Sequence, residues 1–151
     1  MKLKPGDIAP DFELQSSTGN IFKLKDYKNK KLVIFFYPRD ATPGCTIESC
    51  RFRDKYEDFL ELGTAVAGIS SDSIESHKKF CSNYSLQFPV LSDPKGIVRN
   101  LYGASSVSGI IPGRVTFLID QKGIIRDIFA SQLQVLKHVD RALKWAKATN
   151  Y

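Results

Sequence analysis

The sequence predicts an α/β fold organised around one mixed β-sheet. Three observations carry that reading. Residues 32–37 form a continuous apolar run, as a central strand covered on both faces requires. Helix-period stretches at 46–62 and 73–84 alternate with extended stretches at 65–69 and from Val90. Two further pairs of short alternating segments bracket turn residues, the mark of antiparallel hairpins.

In chain order, segments 12–14 and 21–24 flank Ser16, Ser17, Thr18, Gly19 and Asn20 and read as an N-terminal hairpin. The buried strand 32–37 follows. Residues 46–62 read as a helix stopped by Gly63, with Phe52, Tyr56, Phe59 and Leu60 on one apolar face. Residues 65–69 are a second buried strand, and 73–84 a helix with Asp72 or Ser71 as its cap. Val90 and Leu91 begin a short extended piece after Pro89, and 97–102 offer one or two helical turns. Segments 115–119 and 124–129 flank Asp120, Gln121, Lys122 and Gly123 as a second hairpin. The chain closes with a helix over 133–146, where Leu136, Val139, Leu143 and Ala146 recur at helical spacing. This order is that of a thioredoxin-like fold with an N-terminal β-hairpin addition and an inserted central segment. A flavodoxin-like fold would need more parallel strands. With no linker, repeat or low-complexity stretch, residues 1–151 read as a single domain.

Composition removes several functions. The formal charge is +6, but the basic residues are dispersed and no run of five occurs, so a nucleic-acid partner is not expected. No stretch approaches the ~18 apolar residues of a membrane helix. The first lysines lead into Pro5, Gly6 and Asp7 rather than an apolar run, so no secretory signal is read. A reducing compartment is expected: the cytoplasm, or an organelle equivalent if a targeting peptide has been removed. Cys45, Cys50 and Cys81 are too few, and odd in number, for a secreted disulfide framework. Cys45 and Cys50 form C-x4-C, which is neither the C-x-x-C of a dithiol oxidoreductase nor half of a zinc site. His77 and His138 stand alone, so no metal is expected.

The chemistry concentrates where strand 32–37 runs through Pro38 and Thr42 into Cys45 and a helix start. Sites in α/β sheets gather at such strand ends. With Thr42 as N-cap, Pro43 falls at the first helical position, where its missing N–H is harmless. Cys45 falls at the third, within reach of the cap hydroxyl and of unpaired backbone N–H groups, which favour thiolate over thiol. Gly44 leaves the sulfur approachable. A regular helix turns Cys45 toward the sheet and Cys50 roughly 135° away from the apolar face, nearer solvent. Their Cα atoms would lie roughly 8–9 Å apart. A disulfide needs about 6.8 Å or less. The two can bond only if the first helical turns unwind.

The stretch PRDATPGCT matches the P-x-x-x-T-x-x-C motif of peroxiredoxins. The longer TPGCTIESCRFRD resembles the bacterioferritin comigratory protein, or peroxiredoxin Q, group. KPGDIAPDFEL, LVIFFYP and GRVTFLIDQKGII extend the likeness over nearly the whole chain. The resemblance implies that Cys45 attacks the hydroperoxide, that Thr42 and Arg114 hold its oxygens, and that Pro38 shields the sulfur. It implies Cys50 as the resolving cysteine, with Cys81 as the alternative, since some members carry that residue on the second helix. It further implies an intramolecular disulfide, reduction by thioredoxin or a similar dithiol protein, a monomer, and no cofactor.

Plainer readings stand beside these. Pro38 can be a strand terminator, Arg114 a surface residue at a strand edge, and Cys81 a packed thiol on the inner stripe of its helix. Glu48, Arg53 and Asp54 can be a solvated helix face with local ion pairs. His77, His138 and Trp145 read as structural. Two other activities compete. A thioredoxin-type oxidoreductase would need C-x-x-C. A copper-binding assembly factor would use C-x3-C with a distant histidine.

Overall fold

The computed structural model describes residues 2–105 and 113–148. In these, β1 (Glu13–Ser16) and β2 (Ile21–Lys23) form the N-terminal hairpin, followed by a 3-10 turn at Leu24–Tyr27. Then come β3 (Lys31–Phe36), α1 (Pro43–Glu61), β4 (Thr64–Ser70), α2 (Ile74–Tyr84) and β5 (Val90–Ser92). The short α3 (Ile97–Leu101), the hairpin of β6 (Val115–Ile119) and β7 (Ile125–Ala130), and α4 (Val135–Ala148) complete the order. All seven strands join one sheet in the order β2-β1-β5-β4-β3-β6-β7. β3 pairs in parallel with β4 and antiparallel with β6, and β4 pairs in parallel with β5. The mixed α/β fold read from the sequence is therefore the one present.

Every residue of β3 is buried, because helices or loops cover both faces of the sheet there. Its side chains alternate. Leu32, Ile34 and Phe36 join Phe12, Phe22, Val98, Tyr102 and Phe117 on the face under α3 and the N-terminal hairpin. Val33, Phe35 and Tyr37 join Cys45, Phe52, Phe59, Phe80 and Val139 on the face under α1, α2 and α4. Lys31 begins the strand buried, and its ammonium donates to the Ala146 carbonyl (2.8 Å) near the end of α4.

Three local expectations are corrected. Leu60 is exposed, so the apolar face of α1 rests on Phe52 and Phe59 with Tyr56 half-buried. Leu136 is likewise exposed, and α4 buries His138, Val139, Ala142 and Ala146, a stripe one position round from the one read in the sequence. Ser73 caps α2, its hydroxyl accepting from Ser76 N (3.1 Å), rather than Asp72 or Ser71. The Asp72 carboxylate is already engaged. It accepts from Asp40 N (2.8 Å) and Ser70 Oγ (2.6 Å).

Gly68 of β4 is required by packing. A Cβ there would stand 2.8 Å from Cζ of the Phe35 ring, which itself stacks on Phe52 at 4.4 Å between centroids. Gly68→Ala is expected to destabilise the fold by about 1–3 kcal/mol, the range for overpacking a filled core. Urea denaturation would measure it. An unchanged midpoint would show that the ring has room to move.

Candidate active site

Helix α1 opens as its residues dictate. Thr42 occupies the N-cap position with extended backbone, and Pro43 stands at the first helical position. The Thr42 carbonyl accepts the first helical bond, from Thr46 N (2.8 Å). Gly44 and Cys45 therefore present N–H groups that have no partner within the helix. The expected cap by the Thr42 side chain is not formed. Its hydroxyl donates instead to the Arg39 carbonyl (2.9 Å).

Cys45 is buried on the sheet-facing side, as its place in the helix predicts. Over it lies Arg114, which directly precedes β6. A Cβ at Gly44 would stand only 3.0 Å from the Arg114 Nη2, so this glycine makes room for the guanidinium as well as for the sulfur. Arg114 is buried, not a surface residue. Burial alone would lower its pKa. The neighbouring Glu48 carboxyl and Cys45 sulfur outweigh that and hold it above the ordinary arginine value. Cys50 is half-buried further along α1 and Cys81 is half-buried on α2; all three thiols are free. Burial pushes the Cys81 thiol up, against a hydrogen bond with Ser17. Pro38 stands two residues after the end of β3, beyond Tyr37, and is half-buried.

Two sets of residues enter the site that the sequence reading left outside it. The first is Glu48 with His138. Glu48 is fully buried, not solvated, because Arg114 Nη1 donates to its Oε1 (2.6 Å). Its Oε2 has no hydrogen-bond donor among the described residues, and His138 Nδ1 lies 3.8 Å away. His138 has site-like neighbours after all. Its Nε2 faces the Ser131 carbonyl (2.8 Å), which can only accept, so Nε2 carries a proton; in the neutral ring, which burial favours, Nδ1 accepts from Thr116 Oγ1 (2.8 Å). Burial pulls His138 down to about 4 and pushes Glu48 up to about 8, the latter against the pull of Arg114. A helical projection carried a signal for Glu48, since positions 45, 48, 49 and 52 share one stripe of α1.

The second set is Asp40 with His77. Asp40 lies in the loop between β3 and α1. Tyr37 donates to its Oδ1, while Ser76 Oγ (2.8 Å) and His77 Nδ1 (2.7 Å) meet its Oδ2. His77 Nε2 lies 2.9 Å from the Leu91 carbonyl. Burial would raise Asp40, but these partners outweigh it and hold the carboxyl below its usual range. Asp40, Asp72 and His77 converge closely enough to suggest metal ligands. Each is already committed to hydrogen bonds within the protein.

Comparison with known proteins decides the family. A match to the AhpC/TSA family spans residues 5–128. The chain belongs to that family. Within it, the chloroplastic peroxiredoxin Q of Sedum lineare is 43% identical over 144 residues, covering 95% of this chain and 77% of that one. Among solved structures, peroxidoxin BcpB of Mycobacterium tuberculosis superposes with a TM-score of 0.90 at 35% identity, covering 99% of both chains. The bacterioferritin comigratory protein of Xanthomonas campestris, a protein studied for alkyl peroxide reduction, superposes at 0.83 with 29% identity, covering 91% of this chain and 90% of that one. The thioredoxin-like architecture of the AhpC/TSA peroxiredoxins is thus the fold of this chain, and its activity is that of a thiol-dependent peroxidase. No helix among the described residues is long and apolar enough to cross a membrane.

The buried Glu48 and His138 act oppositely on stability. Glu48 binds its proton more tightly folded than unfolded, so it costs stability as pH rises from about 4.5 to about 8. His138 binds its proton less tightly folded, so it costs stability as pH falls from about 6.5 to about 4. The two oppose each other between about 4.5 and 6.5, leaving a decline between about 6.5 and 8. In Glu48→Gln that decline should vanish and a rise with pH below 6.5 should emerge. Urea midpoints at pH 5, 6.5 and 8 would test this. A variant that follows the parent curve would show that Glu48 does not titrate in this window.

Proposed function

We propose that Cys45 is the thiolate that reduces hydroperoxides in this AhpC/TSA peroxidase. The observation that carries the reading is its place in the first turn of α1, buried beneath the Arg114 guanidinium and beside unpaired backbone N–H groups. The sulfur attacks one oxygen of the O–O bond. An S–O bond forms, O–O breaks, and the leaving oxygen departs as alkoxide or hydroxide and takes up a proton. Charge grows on that oxygen, where fixed donors lower the barrier most. Arg114 supplies such donors with its charge. The Thr42 hydroxyl has its proton committed to Arg39, so its lone pairs are open to accept from the peroxide O–H. Pro38 screens the sulfur from water at the strand end.

Cys45 is left as a sulfenic acid. Cys50 attacks that sulfur, forming S–S and expelling water. Helix α1 is unbroken from Pro43 to Glu61, so this step requires residues 43–51 to leave the helix. A dithiol protein of the thioredoxin kind then returns both thiols by disulfide exchange. Hydrogen peroxide and organic hydroperoxides both fit the chemistry, which balances on thiols alone. Every group used lies within residues 1–151, so we assign the reaction to a single domain acting as a monomer in a reducing compartment. The Sedum lineare relative is named as chloroplastic; a cytoplasmic setting keeps thiols reduced, as this cycle requires between turnovers.

Reduced protein should consume one equivalent of hydrogen peroxide alone, and many with thioredoxin and its reductase. Cys45→Ser should consume none, and normal turnover by that variant would overturn the assignment. Peptide mapping after one equivalent should recover a Cys45–Cys50 disulfide. A Cys45–Cys81 bond would transfer the resolving role to Cys81. Oxidation should also speed amide exchange in residues 46–51, and unchanged protection there would contradict the unwinding step.

A further inference from the structure

Arg99 is a buried arginine that neither helix packing nor the peroxidase chemistry above explains. It lies on α3, on the opposite face of the sheet from α1, with its guanidinium 5.6 Å from the centroid of the Phe36 ring. Among the described residues, the three hydrogen bonds of its guanidinium all go to backbone carbonyls. Nη2 donates to Tyr37 O (2.7 Å), and Nη1 donates to Ala104 O (2.9 Å) and Gly113 O (2.8 Å). The nearby Asp93 carboxylate is occupied elsewhere, accepting from Val98 N (3.2 Å) and Arg99 N (2.9 Å). Burial lowers the Arg99 pKa, while Asp93 and, less strongly, Cys45 and Tyr37 oppose that change.

The carbonyls it selects are informative. The ladder between β3 and β6 ends at the pair Phe36 and Val115. Beyond it the strands part. Tyr37 leads into Pro38, Thr42 and Cys45, while Gly113 immediately precedes Arg114. A strand pair that separates leaves its next carbonyls without ladder donors. The planar guanidinium fills that fork with donors held at fixed spacing. The two strands that diverge here carry the two groups a peroxide must touch at once.

The geometry points to Arg99 as a positioning residue for the peroxidase reaction: it spans the fork between β3 and β6 and fixes Arg114 relative to the Cys45 loop. This rests on Cys45 as the attacking thiolate. A displacement of about 1 Å between reacting groups can cost on the order of 100-fold in rate. Alkylation of Cys45 by iodoacetamide, taken at the upper plateau of its pH profile where the thiolate fraction no longer changes, needs no donor on a departing peroxide oxygen, so the plateau rate reads the sulfur without the leaving-oxygen donors of Arg114.

The test compares Arg99→Met, which removes the donors, with Arg99→Lys, which keeps a charge but cannot reach three carbonyls in one plane. Both should fold, by circular dichroism. Both should lose roughly 10- to 100-fold in the rate constant for hydrogen peroxide. Their plateau iodoacetamide rates should stay within about threefold of the parent, while the loss toward peroxide persists at the same pH. In an Arg114→Ala background, Arg99→Met should cost less than about threefold more, because the group it positions is already gone. Peroxide and plateau iodoacetamide rates that fall together, full additivity with Arg114→Ala, or loss of the folded state in both variants would each overturn the proposal. A Cys45→Ser control that still consumed peroxide would instead remove the reading on which it rests.

Discussion

Much of this structure follows from one constraint, the burial of a polar stripe under the first half of α1. Cys45, Glu48 and Ser49 all face the sheet and are almost inaccessible to water. Burying such groups is unfavourable unless each finds a partner. Arg114 partners Glu48 Oε1, but Glu48 Oε2 and Ser49 Oγ have none among the described residues. The second half of α1 is different. Phe52 and Phe59 fill an aromatic cluster with Phe35 and Phe88, and Arg53 donates to the Tyr84 carbonyl (2.8 Å) that ends α2. The helix is thus divided. Its first turns give back little apolar burial on unwinding and regain water for their polar groups. Its later turns lose a great deal. A boundary for local unfolding falls near Phe52, just past Cys50.

The loop before the helix has the opposite character. Ala41 adopts φ 62°, a left-handed conformation unfavourable for a residue with a Cβ. It persists because neighbouring Asp40 is held by Tyr37, Ser76 and His77 through its carboxylate and by Asp72 through its N–H. These partners come from the residue after β3, from α2 and from the turn before α2, none of which is part of the first turns of α1. The loop therefore has anchors that survive when the helix start lets go. A fixed loop beside a releasable helix turn limits how far Cys45 can travel, and so which thiols it can meet.

The fold was largely legible because its signals are local. A six-residue apolar strand, period-two hairpins and a helix that opens with Pro43 need no distant information. So does Cys45, whose side of the helix follows from counting to Phe52. The misreadings share one cause. Glu48 looks like a solvated acid until Arg114, 66 residues away, is brought against it. Asp40 and His77 are 37 residues apart. Arg99 contacts carbonyls, and backbone acceptors leave no mark in a sequence. The absent Thr42 cap is of the same kind, since the rotamer that turns its hydroxyl to the Arg39 carbonyl is set by loop geometry that residue identity does not encode. Buried polar pairing is decided by topology, and in this chain it surrounds the site.

The same division of α1 bears on which cysteine answers Cys45. Attack on a sulfenic sulfur needs thiolate, and burial raises the Cys81 thiol, reducing the share ionised near neutrality. Cys81 also sits on α2, whose residues Ser76 and His77 hold Asp40, and whose capping Ser73 fixes its first turn. Bringing Cys81 to Cys45 would disturb the anchors of the very loop that must stay in place. Cys50 needs no such movement. In the proposed mechanism it lies on the releasable side of the Phe52 boundary, on the same segment as Cys45, so one unwinding event would free both thiols. Physical economy therefore favours the nearer cysteine, and the C-x4-C spacing becomes the length of chain that a single local unfolding can close.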